Sequence, residues 1–324
     1  MPAEARVSPE AERAAVSGAL PLGEVAKSTS ARFNLVSLAP SALLATGIGI
    51  LIASGAFSGV PSMHLLFTRL QDVNVFIASI LFLIVFCAAL ILQPFQLQLV
   101  RILEGYWDDV PILRGLKFIG VEINRRRWWD IRVLRDDDDL LASLYPPEID
   151  DLLPTRLGNV LRAAERRAGE QHGFSDPIKM FPRIYPYISA PLSKAIGDAR
   201  DELDIACRMC AVLWTLAVVT VVTFAADGAV IATRGVVLFI PALAALMGIV
   251  SYRAAVRSAE DYGKFLYYVF DLHRQDLIRA LGYEPPRNPD AEIELIQAIT
   301  EWLVEGARAP ARYRERSGQR SASP

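Results

Sequence analysis

MCAVLWTLAVVTVVTFAA (Met209–Ala226) is the stretch that decides the fold: it contains no Asp, Glu, Lys or Arg. As a helix it covers about 27 Å, close to the ~30 Å hydrocarbon core of a bilayer. Phe33–Thr68, Val73–Val100 and Gly235–Tyr252 are charge-free in the same way. A central Asp, Lys or Arg costs roughly 2.5–3.5 kcal/mol on insertion scales, so four such windows are not a chance feature of composition. They form two pairs around a long polar middle. The pattern predicts an all-α protein: a four-transmembrane-helix bundle with inward helix extensions and a small cytoplasmic helical domain.

Charge distribution orients that bundle. Net charge is only −2, with a mean hydropathy of +0.29 and 52% hydrophobic residues, because charged and apolar segments are segregated. The loop Gly59–Asn74 carries only Arg69, and the loop Asp227–Arg234 only Arg234, out of 34 Lys plus Arg. The positive-inside rule therefore places both termini and the middle region in the cytoplasm. Residues 1–30 lack the apolar core of a secretory signal and read as a polar cytoplasmic tail. Only five of the 34 basic residues are Lys, an Arg bias that points to a GC-rich bacterium and so to its plasma (inner) membrane.

The expected organisation is a disordered cytoplasmic tail over 1–32 and a first transmembrane pair with inner extension over 33–110. A cytoplasmic helical and aromatic-loop region spans 111–205, and the second transmembrane pair spans 206–258. A stalk with an amphipathic helix follows over 259–306, then a disordered basic tail over 307–324. In the first span, Ser41, Ala45, Gly49 and Ala53 repeat at spacing four, a small-residue stripe suited to close helix packing or to lining a pore. In the second span Gln93 and Gln96 share one side next to Pro94, which predicts a kink, and either bond another helix or line a vestibule. That helix is expected to run on through Glu104-Gly105-Tyr106-Trp107.

Between Pro111 and Arg135, basic residues alternate with Trp and aliphatics, with Arg125, Arg126, Arg127, Trp128 and Trp129 at the centre. Beside a membrane span this mixture predicts a segment lying on anionic lipid. Nucleic acid is the weaker reading, since Asp136–Asp139 adjoins it and repels phosphate. The acidic run lacks the alternating ligands and turn Gly of a Ca²⁺ loop and reads as a solvated loop.

Thr155 is placed to cap a helix whose apolar face is Leu157, Val160, Leu161, Ala164 and Ala168. Arg156, Asn159, Arg162 and Arg166 lie off that face and are expected to form an exposed polar edge for a partner. Pro177, Pro182, Pro186 and Pro191 then predict an ordered aromatic loop rather than a helix. The next helix begins near Leu192 and leads into the third span. Beyond Arg253 the fourth span is expected to continue to Leu281, ended by Gly282, and Asn288-Pro289 to start an amphipathic helix burying Ile293, Ile296, Ile299 and Leu303.

The chemical inventory is thin. His64, His172 and His273 stand apart, with no neighbour at metal-ligand spacing, and no nucleophile elbow, Walker loop or dinucleotide fingerprint occurs. Cys87, Cys207 and Cys210 lie in or beside spans, where the single C-x-x-C reads as packing. No carboxylate, His or Lys sits in the hydrophobic centre of a span, where coupled transporters place one. The expectation is a protein that is not an enzyme, with no cofactor, no metal and no catalytic residues.

TRLGNVLRAAERRAG (Thr155–Gly169), FPRIYP (Phe181–Pro186) and EGYW (Glu104–Trp107), with the flanking span pairs, resemble a family of uncharacterised bacterial four-pass membrane proteins. The family commonly has Trp before Pro-Arg, where this chain has Phe181. The resemblance covers some 270 residues and implies cytoplasmic termini and middle region, with no activity attached. The layout is also similar to that of bestrophin-like anion channels in general plan, without a matching pore motif. Two functions are therefore expected in competition. One is a membrane-anchored cytoplasmic interaction or regulatory module, the other a homo-oligomeric, anion-favouring channel. The bilayer, self-association and a cytoplasmic protein are the expected partners, nucleic acid is not.

Overall fold

The computed structural model describes residues 39–59, 61–108, 111–135, 137–226 and 238–310. Regular structure among them is entirely helical. Two helices are long and apolar enough to cross a membrane, and a third if a bent pair counts as one broken span. The expected tail 1–32, residues 311–324 of the expected tail 307–324, the Asp227–Arg234 loop and Asp136 lie outside the described residues.

The described residues fall into two compact units, one within Met1–Pro94 and Val219–Val237, the other within Phe95–Val218 and Leu238–Pro324. The first contains α1 (Ala39–Ala53), α2 (Met63–Gln71) and the start of α3 (Val75–Glu104). The described part of α1 rises only about 22 Å, short of a full crossing. Leu51, Ala56 and Phe224 pack together and exclude water in this unit. Arg69 donates to the carbonyls of Ile52 and Ala53, both at 3.1 Å, so the one base of that loop satisfies the free end of α1 and complements its dipole. Ser62 caps α2 through the Leu65 amide, and the axis then turns by 116° into α3.

In the second unit α3 ends at Glu104, earlier than the expected Trp107, because Gly105 takes φ +101°. Next come α4 (Pro111–Trp129), a π-helical turn (Asp130–Arg135) and α5 (Asp138–Leu144). The acidic run is thus a helix start rather than a loop. The Asp137 carboxylate accepts from the Leu140 amide at 2.9 Å, and Asp138 and Asp139 sit in the positive first turn. Trp128, Ile131, Leu141, Tyr145 and Leu152 form the core beneath this corner.

Thr155 caps α6 (Arg156–His172) as expected, accepting from the Gly158 amide at 3.1 Å. The expected aromatic loop is instead helix α7 (Pro177–Ile184) and a 3₁₀ turn (Tyr185–Tyr187). Pro177 occupies the first turn behind the Asp176 cap, where its missing N–H has no helical partner to lose. Pro186 and Pro191 likewise sit at the starts of their elements, and only Pro182 falls inside one.

α8 (Ala190–Ala226) and α9 (Phe239–Ala280) have 37 and 42 residues, roughly 55 and 63 Å, so each has length for a bilayer and a substantial extension beyond it. Gly282 at φ +81° follows the end of α9, and Asn288 caps α10 (Pro289–Thr300), both as expected. The main core joins α6–α7, α8, α9 and α10 through Phe174, Met180, Ile184, Ile196, Phe270, Ile278, Ile296 and Ile299. Phe174 and Phe270 lie 4.8 Å apart centre to centre. Burying each such side chain contributes about 1.5–3 kcal/mol, which gives this helical body a substantial core of its own. A second cluster, with Leu157, Val160, Leu203, Cys207, Val256 and Ala259, lies nearer the apolar windows. There α6 abuts the end of α3 so closely that a Cβ on Gly158 would meet the Glu104 carbonyl at 1.8 Å.

Candidate functional site

An open groove of about 1130 Å³ in the second unit is bounded by three elements. α4 supplies Gly120, Ile123, Asn124 and Arg127, the start of α6 supplies Pro154, Thr155 and Arg156, and α9 supplies Ile249 to Glu260. Two buried amides hold the middle wall in place. Asn159 Oδ1 accepts the Leu153 amide at 2.7 Å, while its Nδ2 donates to the Leu153 and Thr155 carbonyls, both at 2.9 Å. Asn124 Nδ2 reaches the carbonyls of Gly120, Leu153 and Pro154 at 3.0–3.2 Å. Gly120 makes that approach possible, since a Cβ there would lie 2.7 Å from Pro154. From the opposite wall, the Tyr252 hydroxyl accepts the Leu157 amide at 3.3 Å and ties the first turn of α6 to α9.

The groove is strongly cationic. Arg127, Arg156, Arg253 and Arg257 border it, all exposed, against one carboxylate, Glu260, which stands 3.7 Å from Arg156. Neither Arg253 nor Arg257 forms an ion pair among the described residues. Asn124 is only 3% exposed, yet its Oδ1 has no hydrogen-bond partner among them.

The expected membrane-surface set separates into different environments. Arg127 borders the groove, whereas Arg125 and Arg126 both pair with Glu122, Arg126 at 3.2 Å. The Arg126 hydrogen bond, aided by Arg125, holds the Glu122 carboxyl below its usual range. Trp128 is buried and donates to the Pro146 carbonyl at 3.3 Å, which corrects its expected place on the surface: its indole needs a partner once excluded from water. Trp129 remains half exposed, and Leu116, Phe118, Ile119 and Ile123 leave apolar surface on α4.

The expected partner edge does not form as one surface. Asn159 is completely buried, a correction with a clear cause: the turn before α6 presents polar backbone groups that only an inward amide satisfies. Arg156 turns to the groove, Arg166 pairs with Asp151 at 2.5 Å, and Arg162 lines a small cavity with Glu104 and Glu165. Burial pushes the Glu165 carboxyl above its usual range, with Arg162 and Arg166 acting against it. Of the small-residue stripe, Ser41 is buried, Ala45 and Ala53 are half-buried, and Gly49 faces open space. The backbone of α3 continues through 92–97, while the side chains of Gln93, Pro94 and Gln96 lie outside the described residues.

A second polar cluster surrounds His172 at the end of α6. Its ring stacks on Tyr267 at 5.7 Å, and its Nε2 stands 3.6 Å from Asp271. Arg274 bridges Asp271 and Glu292, the latter at 2.6 Å. Burial, then the nearby Arg274 charge, pulls the His172 pKa below its ordinary value. Among the described residues no group of His, Cys, Asp and Glu has metal-binding geometry.

The sequence reading missed Asn124, Tyr252, Arg253, Arg257 and Glu260. Arg253 and Arg257 carried a usable signal, being four residues apart just past an apolar window. Asn124 carried none, because its role depends on a chain crossing thirty residues away. No protein family, curated protein or solved structure matches the chain.

Proposed function

We propose that the chain is a four-pass plasma-membrane protein without enzymatic activity, belonging with the uncharacterised bacterial family it resembles. Its inner helices act as a module that binds a cytoplasmic protein or regulates a membrane complex. The observation that carries this reading is continuity. α8 and α9 lead from uncharged sequence of membrane length directly into the helical body built on Phe174, Ile184, Phe270 and Ile278. A partner docked on that body acts on two membrane helices with no intervening linker. Apolar side chains standing out from the upper part of α9, such as Leu246, Met247 and Val250, fit contact with lipid. The 30-residue α3 supports a further pass in the same way, with Phe76, Phe82 and Ile91 exposed.

Crosslinking in native membranes tests the module. A second protein should be captured through the cytoplasmic body, and recovery of this chain alone overturns the reading. Gly49 favours a second reading, since its open face admits another helix closely, as a homo-oligomeric channel requires. A closed oligomer with reproducible bilayer conductance would place the channel ahead, and a monomer or dimer without conductance removes it.

A further inference from the structure

We infer that the groove between α4, α6 and α9 binds the head group of an anionic phospholipid of the inner leaflet. This rests on the membrane placement proposed above and adds a ligand to it. The groove changes character along α9. Ile249 and Val250 belong to the charge-free window Gly235–Tyr252, and Arg253 is the first charge after it, followed by Arg257 one turn on. From Ile249 to Arg257 the helix rises about 12 Å. α4 adds the apolar Ile123 and the cationic Arg127 to the lining, and the start of α6 adds Arg156. An apolar stretch followed at that distance by guanidinium groups is the complement of an acyl chain leading to a phosphate.

The charges are available for a ligand. Glu260 is the single carboxylate on the groove and stands beside Arg156, leaving Arg253 and Arg257 without an ion pair among the described residues. Guanidinium forks bind phosphate oxygens in pairs, which gives both strength and geometry. The N-terminus of the 17-residue α6 opens onto the same groove at Thr155 and Arg156 and adds a favourable dipole for an anion. Asn124 holds this wall in place, its Nδ2 donating to the Gly120, Leu153 and Pro154 carbonyls. Basic recesses at the cytoplasmic edge of membrane helices are where lipid head groups are held. A soluble phosphate would use the arginines but not the apolar stretch.

Full-length protein purified in a nonionic detergent provides the test, read as the unfolding temperature with added dioleoylphosphatidylglycerol, dioleoylphosphatidylcholine or glycerol 3-phosphate. Phosphatidylglycerol should raise it by about 2–4 °C at roughly tenfold excess over its dissociation constant. Phosphatidylcholine and glycerol 3-phosphate should not. The R253Q/R257Q protein, altered only at exposed positions, should lose the rise, while R125Q/R126Q, which removes the same charge outside the groove, should keep it. Native mass spectrometry should find phosphatidylglycerol retained on the unaltered protein and lost from R253Q/R257Q. An equal rise with phosphatidylcholine, an equal rise with glycerol 3-phosphate, or a rise that survives R253Q/R257Q each overturns the inference. Alkaline carbonate extraction of the same membranes separates the two failures. Release of the protein into the supernatant defeats the membrane reading, whereas retention without a phosphatidylglycerol effect defeats the lipid site alone.

Discussion

Gly263 on α9 stands so close to Ala164 on α6 that a Cβ on Gly263 would lie 2.7 Å from that of Ala164. The two helices are in close contact at this pair, and Leu157, Val160, Ala255 and Ala259 pack together beside it. Gly263→Val therefore sets a small gain in helix propensity against overpacking of about 1–3 kcal/mol, and overpacking wins. The variant should unfold at lower temperature or denaturant concentration. Adding Ala164→Gly should restore part of the loss, whereas strictly additive effects of the two changes would show that the contact is not what limits the crossing.

Asn159 should be the most sensitive polar position of α6. Asn159→Ala removes the acceptor of the Leu153 amide and one of two donors to each of the Leu153 and Thr155 carbonyls, which keep Asn124 Nδ2 and the residue-159 amide. Orphaning a buried backbone group costs about 1–3 kcal/mol. Arg166→Ala breaks an ion pair with Asp151 that is partly open to solvent, worth about 1 kcal/mol or less. Denaturant titration of the two variants should rank them in that order, and the reverse order would mean that the turn before α6 is held by something else.

The helix boundaries were legible where the signal is local. Thr155, Asn288 and Gly282 each act through groups within a turn or so of themselves, so residue type and position suffice. The prolines of 177–191 misled because a proline is harmful inside a helix and favourable at its start, and only the Asp176 cap distinguishes the two. The cationic groove was half legible. Arg127 and Arg156 were singled out for other reasons, but their meeting with Arg253 and Arg257 depends on how α4, α6 and α9 pack. Trp128 and Asn159 were misjudged because their partners, the Pro146 and Leu153 carbonyls, lie across turns that no periodicity describes.

His172 should make stability fall on mild acidification. In the folded chain, burial and Arg274 lower its pKa, while Asp271 and Glu292 act in the opposite direction without cancelling the effect. Unfolded, it takes up a proton near pH 6.5. Between that value and the lower folded one the unfolded chain holds more protons, so this contribution is complete above pH 6.5 and shrinks as pH falls toward the folded pKa. Thermal unfolding between pH 7.5 and 5.5 should show this decline, and His172→Phe, which keeps a ring against Tyr267, should flatten it. An undiminished decline in that variant would assign the effect to other groups.

The proposed topology makes one demand that the two exposed positions Gln71 and Lys179 can test directly. Gln71 ends α2 in the loop between the first two apolar windows, which carries a single base, and Lys179 lies in α7 within the arginine-rich middle region. Because positive charge is retained on the cytoplasmic side, the proposed topology puts these residues on opposite faces of the membrane. Cys87, Cys207 and Cys210 should first be replaced by Ala or Ser, which removes background from the free thiols. In that protein, Gln71→Cys should react in intact cells with a maleimide that cannot cross the membrane. Lys179→Cys should react only after the cells are opened. Labelling of Lys179→Cys from outside would invert the orientation and would move the groove arginines away from the anionic inner leaflet. Protection of both sites in intact cells would instead exclude an exposed outer loop and point to fewer crossings, with the α2–α3 bend of 116° lying within or beneath the membrane.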